Sequence, residues 1–145
     1  MLVNGKPSRT VWLQEPEPVW IIDQRHLPFQ FIEEPLHTVE DTARAILDMH
    51  VRGAGCIGAT AGFGMYLATL EATRSNDFDR SLRNSATVLT STRPTAVNLG
   101  LAVSRQLREI NAGRTTEAKI DIARNTAQAI ADEDADACQN IGRHG

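Results

Sequence analysis

Cysteine is scarce in this chain: Cys56 and Cys138 are the only two. They form no C-x-x-C pair and share no metal-ligand spacing with the four histidines. That excludes a zinc knuckle and a disulfide scaffold and leaves two reduced thiols, with no metal expected. Positive charge is also in short supply. Fifteen Lys and Arg against eighteen Asp and Glu give a net charge of −3 and a pI near 5.8. This is the wrong balance for holding nucleic acid through its phosphates, so no nucleic-acid partner is expected. No basic segment leading into an apolar run opens the chain, which argues against a secretory signal and for a cytoplasmic location. The one long uncharged stretch, Ala54–Leu70, is short for a membrane span and carries four glycines and two threonines. A buried helix is the better reading, and no membrane partner is expected. Internal repeats and low-complexity linkers are absent. What remains is 145 residues, 41% hydrophobic and 23% charged, enough for one globular domain over 1–145 with its own core.

Two periodicities divide the chain. Residues 1–37 have strand character: Val11-Trp12-Leu13, Val19–Ile22 and Phe29–Ile32 are β-favouring runs, punctuated by Glu15-Pro16-Glu17-Pro18 and Leu27-Pro28. A small antiparallel sheet is expected. The polar triplet Asp23-Gln24-Arg25 after the second run either turns the chain or carries function. From Thr38 the period becomes helical. Thr38 with Asp41 resembles a capping box, and Val39, Ala43, Ile46 and Leu47 mark one face of a helix ending near His50. The uncharged helix follows to about Thr73, and a third helix spans about Asp77–Thr90. A fourth starts at Ser91-Thr92-Arg93-Pro94, with Thr92 or Arg93 near its N-cap and Pro94 in its first turn, and stops at Ala112-Gly113. Its apolar face is Val97, Leu101, Leu107 and Ile110. The last helix runs from about Thr116 to Ile141, with Ala123, Ala127, Ile130, Ala137 and Ile141 on one side. Its acidic run, Asp132-Glu133-Asp134 with Asp136, reads as a solvated face. The expected fold is therefore α+β, a small N-terminal antiparallel sheet (1–37) followed by a bundle of about five helices (38–145).

The chain is organised around Val51–Gly64, VRGAGCIGATAGFG. Arg52-Gly53-Ala54-Gly55 reads as a tight loop entering a helix. Ala54, Gly58 and Gly62 fall every four residues, so they share a helix face that lets another backbone come close. A helix N-terminus offers unpaired N–H groups and a partial positive charge, and a Gly-rich turn lets an anion approach them. The residues thus point to a phosphate or carboxylate site at Arg52–Gly55; a loop feeding a tightly packed helix is the alternative. Arg93, beside Ser91, Thr92 and Thr95 at an expected helix start, is a second cation that could clamp a phosphate with Arg52. Gly53-Ala54-Gly55-Cys56-Ile57-Gly58 also matches G-x-G-x-x-G, with Glu71 downstream. A dinucleotide site needs a strand before that motif and a βαβ unit around it, whereas a capped helix precedes it here, so the match is read as accidental. His144 and Asp134 are capable of acid–base chemistry but have no nucleophile or orienting partner nearby in sequence, and neither is assigned a role.

Four segments together resemble one family. Ile22-Asp23-Gln24-Arg25 with Leu27-Pro28 is similar to an I-D-Q-x-x-L-P signature. Val51-Arg52-Gly53-Ala54 with Ile57-Gly58 is similar to V-R-G-A-P-A-I-G. Ser91 and Arg93–Leu99 resemble S-R-P-T-A-V-N-L, and Ile141-Gly142-Arg143-His144-Gly145 resembles I-G-E-H-G. The family is that of the methylthioribose-1-phosphate isomerases, relatives of the ribose-1,5-bisphosphate isomerases and of the regulatory subunits of the initiation factor 2B exchanger. The resemblance implies the N-terminal domain of an enzyme that converts a phosphorylated aldose to the ketose in methionine salvage, without a cofactor. It assigns Arg52, Gly53, Ala54 and Arg93 to substrate and phosphate contacts.

Two departures stand out. Gly55 and Cys56 replace the pattern's Pro and Ala. The family's catalytic cysteine and aspartate belong to a C-terminal Rossmann-like domain absent from this chain and match neither Cys56 nor Cys138, so no catalytic residue is assigned and no isomerase activity is expected from the chain alone. The alternatives are a non-catalytic regulatory module of the same superfamily that senses a sugar phosphate or nucleotide, and a ligand-free interaction domain. A homodimer is expected, because an uncovered apolar face would favour pairing.

Overall fold

The computed structural model describes residues 2–3 and 5–145. A two-stranded antiparallel ribbon, β1 (Leu2–Val3) and β2 (Lys6–Pro7), precedes a three-stranded antiparallel sheet. That sheet has the order β3 (Val11–Leu13), β4 (Val19–Ile22), β5 (Glu33–Leu36). Trp12 and Trp20 face each other across β3 and β4 and stack with ring centroids 6.4 Å apart. Five helices follow: α1 (Val39–Leu47), α2 (Ala54–Ala72), α3 (Phe78–Thr92), α4 (Val97–Asn111) and α5 (Thr116–His144). The α+β reading of the sequence is the observed architecture.

The third strand lies four residues later than expected. Asp23 caps a 3₁₀ turn at Gln24–His26, Pro28 follows, and the Asp23 N–H donates to the Ile32 carbonyl at 2.9 Å. Those constraints loop out residues 27–31 and leave Phe29 93% exposed. Strand pairing begins only at Glu33, and Pro35 is tolerated because β5 is an edge strand. Aromatic β-propensity misplaced the strand because it measures fit to a half-buried surface, and none covers Phe29.

Helix α2 is the axis of the bundle. Fifteen of its 19 residues are buried, and it is apolar all round, as a helix enclosed by neighbours must be. No helix among the described residues is long and apolar enough to cross a membrane. The buried hydroxyls of Thr60 and Thr69 donate to the carbonyls of Cys56 and Met65 within α2, at 2.7 and 2.8 Å. The small-residue face works as its spacing predicts. A Cβ at Gly62 would meet Ile130 Cδ1 at 3.2 Å and the Ala127 Cα at 3.7 Å, and one at Gly58 would meet the Asn98 carbonyl oxygen at 3.2 Å. Opposite it, α5 buries Ala123, Ala127 and Ala131. Gln106 of α4, fully buried, donates to the carbonyls of Gly62 on α2 and Ala123 on α5, both at 2.9 Å, and so ties three helices together. Tyr66 Oη donates to the Pro16 carbonyl at 2.8 Å and joins α2 to the sheet.

The helix ends follow local chemistry. Thr38 and Asp41 form a reciprocal capping box at α1, while Asp77 and Thr115 cap α3 and α5. The faces of α4 and α5 differ in part from expectation. Leu99, Ala102, Val103, Gln106 and Ile110 are buried on α4, whereas Val97 and Leu101 are 71% and 64% exposed. On α5, Ala137 and Ile141 lie on the exposed final turns, where the helix continues past the body of α2. Leu47 of α1 is likewise exposed. A helical period names several candidate stripes, and packing from distant segments selects among them.

Candidate functional site

Helix α1 stops in a turn that delivers Arg52. Asp48 is its C-cap, Met49 takes the left-handed conformation at φ 60°, and the His50 N–H reaches back to the Ala45 carbonyl at 2.9 Å. Glycine normally fills that left-handed position, so Met49→Gly is expected to raise stability by about 0.5–1 kcal/mol. A urea melt checks this, and a lowered midpoint would count against it. After the turn, Val51 is fully buried and anchors the loop, while Arg52 is exposed. Gly53, at φ +89°, is the N-cap of α2; its carbonyl accepts from the Ile57 N–H at 2.9 Å, and no side chain caps the helix. With φ positive at Gly53, an L side chain there would strain the backbone.

The Asp23-Gln24-Arg25 triplet both turns the chain and supports this loop. Asp23, almost wholly buried, accepts from the Arg25 guanidinium at 2.7 to 3.2 Å and from the Arg25 N–H at 3.1 Å. The Arg25 side-chain hydrogen bond outweighs the opposing effect of burial and lowers the Asp23 carboxyl to about 2. The Gln24 N–H donates to the His50 carbonyl at 2.8 Å, and Gln24 Nε2 lies 3.5 Å from Cys56 Sγ. Asp23, Glu34 and His50 each place one ligand-type atom within 4.8 Å of the others. Both Asp23 oxygens face Arg25, and His50 Nδ1 is 2.7 Å from Glu34 Oε2. The trio is therefore a hydrogen-bonded joint between the sheet and the α1–α2 loop, formed by residues too far apart in sequence to be grouped from spacing.

Beside the α2 N-terminus runs a groove of about 710 Å³. Its walls come from Ser8–Val11, Gln24, Arg52–Cys56 and the α5 residues Asp134 and Cys138. Arg9 pins the N-terminal wall to α5, with 2.8 Å to Asp132 and 3.2 Å to the Ala131 carbonyl. Burial pushes the Cys56 thiol up, against the Gln24 amide beside its sulfur, so it stays a thiol at neutral pH. A smaller cavity, about 360 Å³, adjoins it and is lined by Gly55, Gly58, Asn98, Arg105 and Asp134 among others. There Arg105 grips Glu133 with two hydrogen bonds of 2.8 and 2.9 Å. The acidic run of α5 is thus only partly a solvated face.

Arg52, Gly53 and Ala54 all line the larger groove. Arg93 lines neither cavity, and it does not start a helix. Helix α3 continues through Thr92, Arg93 is its C-cap, and α4 begins at Val97 behind Ala96. The reason is local: proline disfavours the helical conformation in the residue before it, so Pro94 ends one helix instead of opening the next. The Ser91 and Thr92 hydroxyls donate back to the Val88 and Leu89 carbonyls within α3 at 2.8 and 2.6 Å, and no side chain caps α4. Gln24 and Asp134 are groove residues whose placement the sequence reading missed. Gln24 was visible in its motif, whereas nothing local marks Asp134. As expected, the G-x-G-x-x-G match sits after a helix and no strand follows it among the described residues.

Comparison with known proteins agrees with this architecture. A methylthioribose-1-phosphate isomerase of Paramagnetospirillum magneticum is 42% identical over the whole of this chain, which covers 39% of that protein. An uncharacterized protein in the petC 3′ region of Rhodospirillum rubrum is 40% identical, and the chain spans 77% of it. The crystal structure of 5-methylthioribose 1-phosphate isomerase from Pyrococcus horikoshii OT3 superposes with a TM-score of 0.79 at 36% identity, over 88% of this chain and 37% of that one. The translation initiation factor eIF-2B subunit delta from A. fulgidus matches with the same TM-score and coverage at 31% identity. The chain therefore spans well under half the length of the isomerases it matches. Since the profile of the Initiation factor 2 subunit family matches residues 50–145, from the loop bearing Arg52 to the end of α5, the chain belongs to that family.

Proposed function

We propose that this chain is the substrate-anchoring N-terminal domain of an aldose–ketose isomerase that acts on methylthioribose 1-phosphate or a similar sugar 1-phosphate. The observation that carries this reading is Arg52. It stands on the groove wall beside the N-terminus of α2, and among the described residues no carboxylate pairs with it. A guanidinium and free helix N–H groups side by side form a receptor for a phosphate ester. Gly53 and Ala54 let the ester approach the backbone. Arg93, half-buried at the end of α3, contributes a second and weaker contact from outside the groove. Cys56 on the groove wall is held as a thiol, and in this reading the chain by itself binds without turnover. The reading includes a cytoplasmic homodimer.

Titration of the chain with methylthioribulose 1-phosphate tests this. Arg52→Ala is expected to weaken binding by roughly 10-fold or more, the worth of a charge-assisted hydrogen bond, and Arg93→Ala by a smaller factor. No binding by the unaltered chain would overturn the assignment. A second reading, a sugar-phosphate- or nucleotide-sensing module without chemistry, draws on the equal structural match to the A. fulgidus initiation-factor subunit. Tighter binding of a nucleoside monophosphate than of the sugar phosphate would favour it.

A further inference from the structure

We propose that Asp134 is the chain's own competitor for the anion position at the N-terminus of α2. Its carboxylate lies beside Gly55 in the first turn of α2, next to where an incoming phosphate would settle, and repels the ester unless it swings aside. This rests on the phosphate reading of the groove. Asp134 reaches across from α5 so closely that its carboxyl group occupies the place of a Cβ on Gly55, the second residue of α2. It lines both cavities. Its two neighbours in the acidic run are neutralised, Asp132 by Arg9 and Glu133 by Arg105. Among the described residues no cation pairs with Asp134. It lies instead beside the first turn of a 19-residue helix that has no side-chain cap, where a negative charge is favoured. Its charge also reaches the neighbouring Cys56 thiol and helps to push that group up.

Gly55 makes the arrangement possible. Any side chain at that position would claim the space of the carboxyl group. The Asp134 side chain is only half-buried, so a modest rotation clears the position. A carboxylate beside the first turn of α2 and a phosphate on that turn's N–H groups repel each other at close range. Asp134 therefore lowers the affinity of the groove for phosphate below what Arg52 and α2 would give alone.

The test is an NMR titration of the 145-residue chain with inorganic phosphate, following the amide resonances of Ala54, Gly55 and Cys56. Asp134→Asn is expected to shift those amides without ligand and to tighten phosphate binding roughly three- to tenfold, the scale of one charge at a helix terminus. Gly55→Ala keeps the charge but displaces the carboxyl group, and is expected to tighten binding in the same direction. Arg52→Ala in either background should abolish the gain. Arg52-dependent binding that Asp134→Asn leaves unchanged or weakens would overturn this inference and spare the phosphate reading. No phosphate binding by any variant would overturn both.

Discussion

Replacing Phe63 with alanine is expected to lower the unfolding free energy by about 3–5 kcal/mol, the usual cost of truncating an enclosed aromatic side chain. Phe63 is fully buried near the middle of α2, the helix the rest of the bundle surrounds. Deletion removes the transfer free energy of the ring and leaves a cavity. The close contacts at Gly58 and Gly62 restrict how far the neighbouring helices can move to fill it. A loss of this size is a large share of the roughly 5–15 kcal/mol by which domains are stable, so the variant should be partly unfolded at moderate temperature. Urea melts of Phe63→Ala and Phe29→Ala give the contrast. The second, on a 93% exposed residue, should change stability by no more than about 0.5 kcal/mol. A loss below about 1 kcal/mol for Phe63→Ala would mean that α2 is not the core of the bundle.

The second large effect is a pH dependence centred on Asp23. Its carboxyl is lowered from 3.8 to about 2, first by the Arg25 side chain, against the effect of burial. A depressed folded-state value stabilises the fold above the unfolded value, near pH 4, and that contribution disappears as pH falls through about 2. The shift corresponds to roughly 2 kcal/mol. Asp23→Asn is therefore expected to cost roughly that much at pH 7, and the gap to the unaltered chain should narrow between pH 4 and pH 2. Other carboxylates titrate in both proteins and cancel in the difference. A gap that stays constant down to pH 2 would show that the carboxylate charge plays no part. Because Asp23 holds the turn from which Gln24 grips the His50 carbonyl, the same substitution should also loosen the loop that presents Arg52.

The contrast between Arg52 and Arg93 shows how far the sequence could be read. Both looked like cations at helix starts. Arg52 was legible because Gly53 and the apolar run after it leave only one way to enter a helix. Arg93 was not, because Ser-Thr-Arg-Pro-Thr holds signals for a start and for a stop. The stop won because Pro94 disfavours the helical conformation at Arg93, which became the C-cap of α3. Similarly, the capping box at Thr38 was readable with aspartate in place of glutamate, since both of its hydrogen bonds are local. Strand β5 was not, since it depends on where the looped 27–31 segment lets pairing with β4 resume.

The sequence by itself determined what lies within about one helical turn: caps, turns, the apolar envelope of α2 and the small-residue face that lets α5 and α4 approach it. It also carried the family motifs, whose spacing survives in a linear string. Only the tertiary structure decided which apolar residues are covered, with Leu99 buried and Leu101 exposed on the same helix. It alone joined Asp23, Glu34 and His50, and it alone aimed Asp134 at Gly55. The physical reason is range. Backbone hydrogen bonds and side-chain caps act between near neighbours in the chain, whereas burial and charge pairing act between neighbours in space, which chain order does not specify.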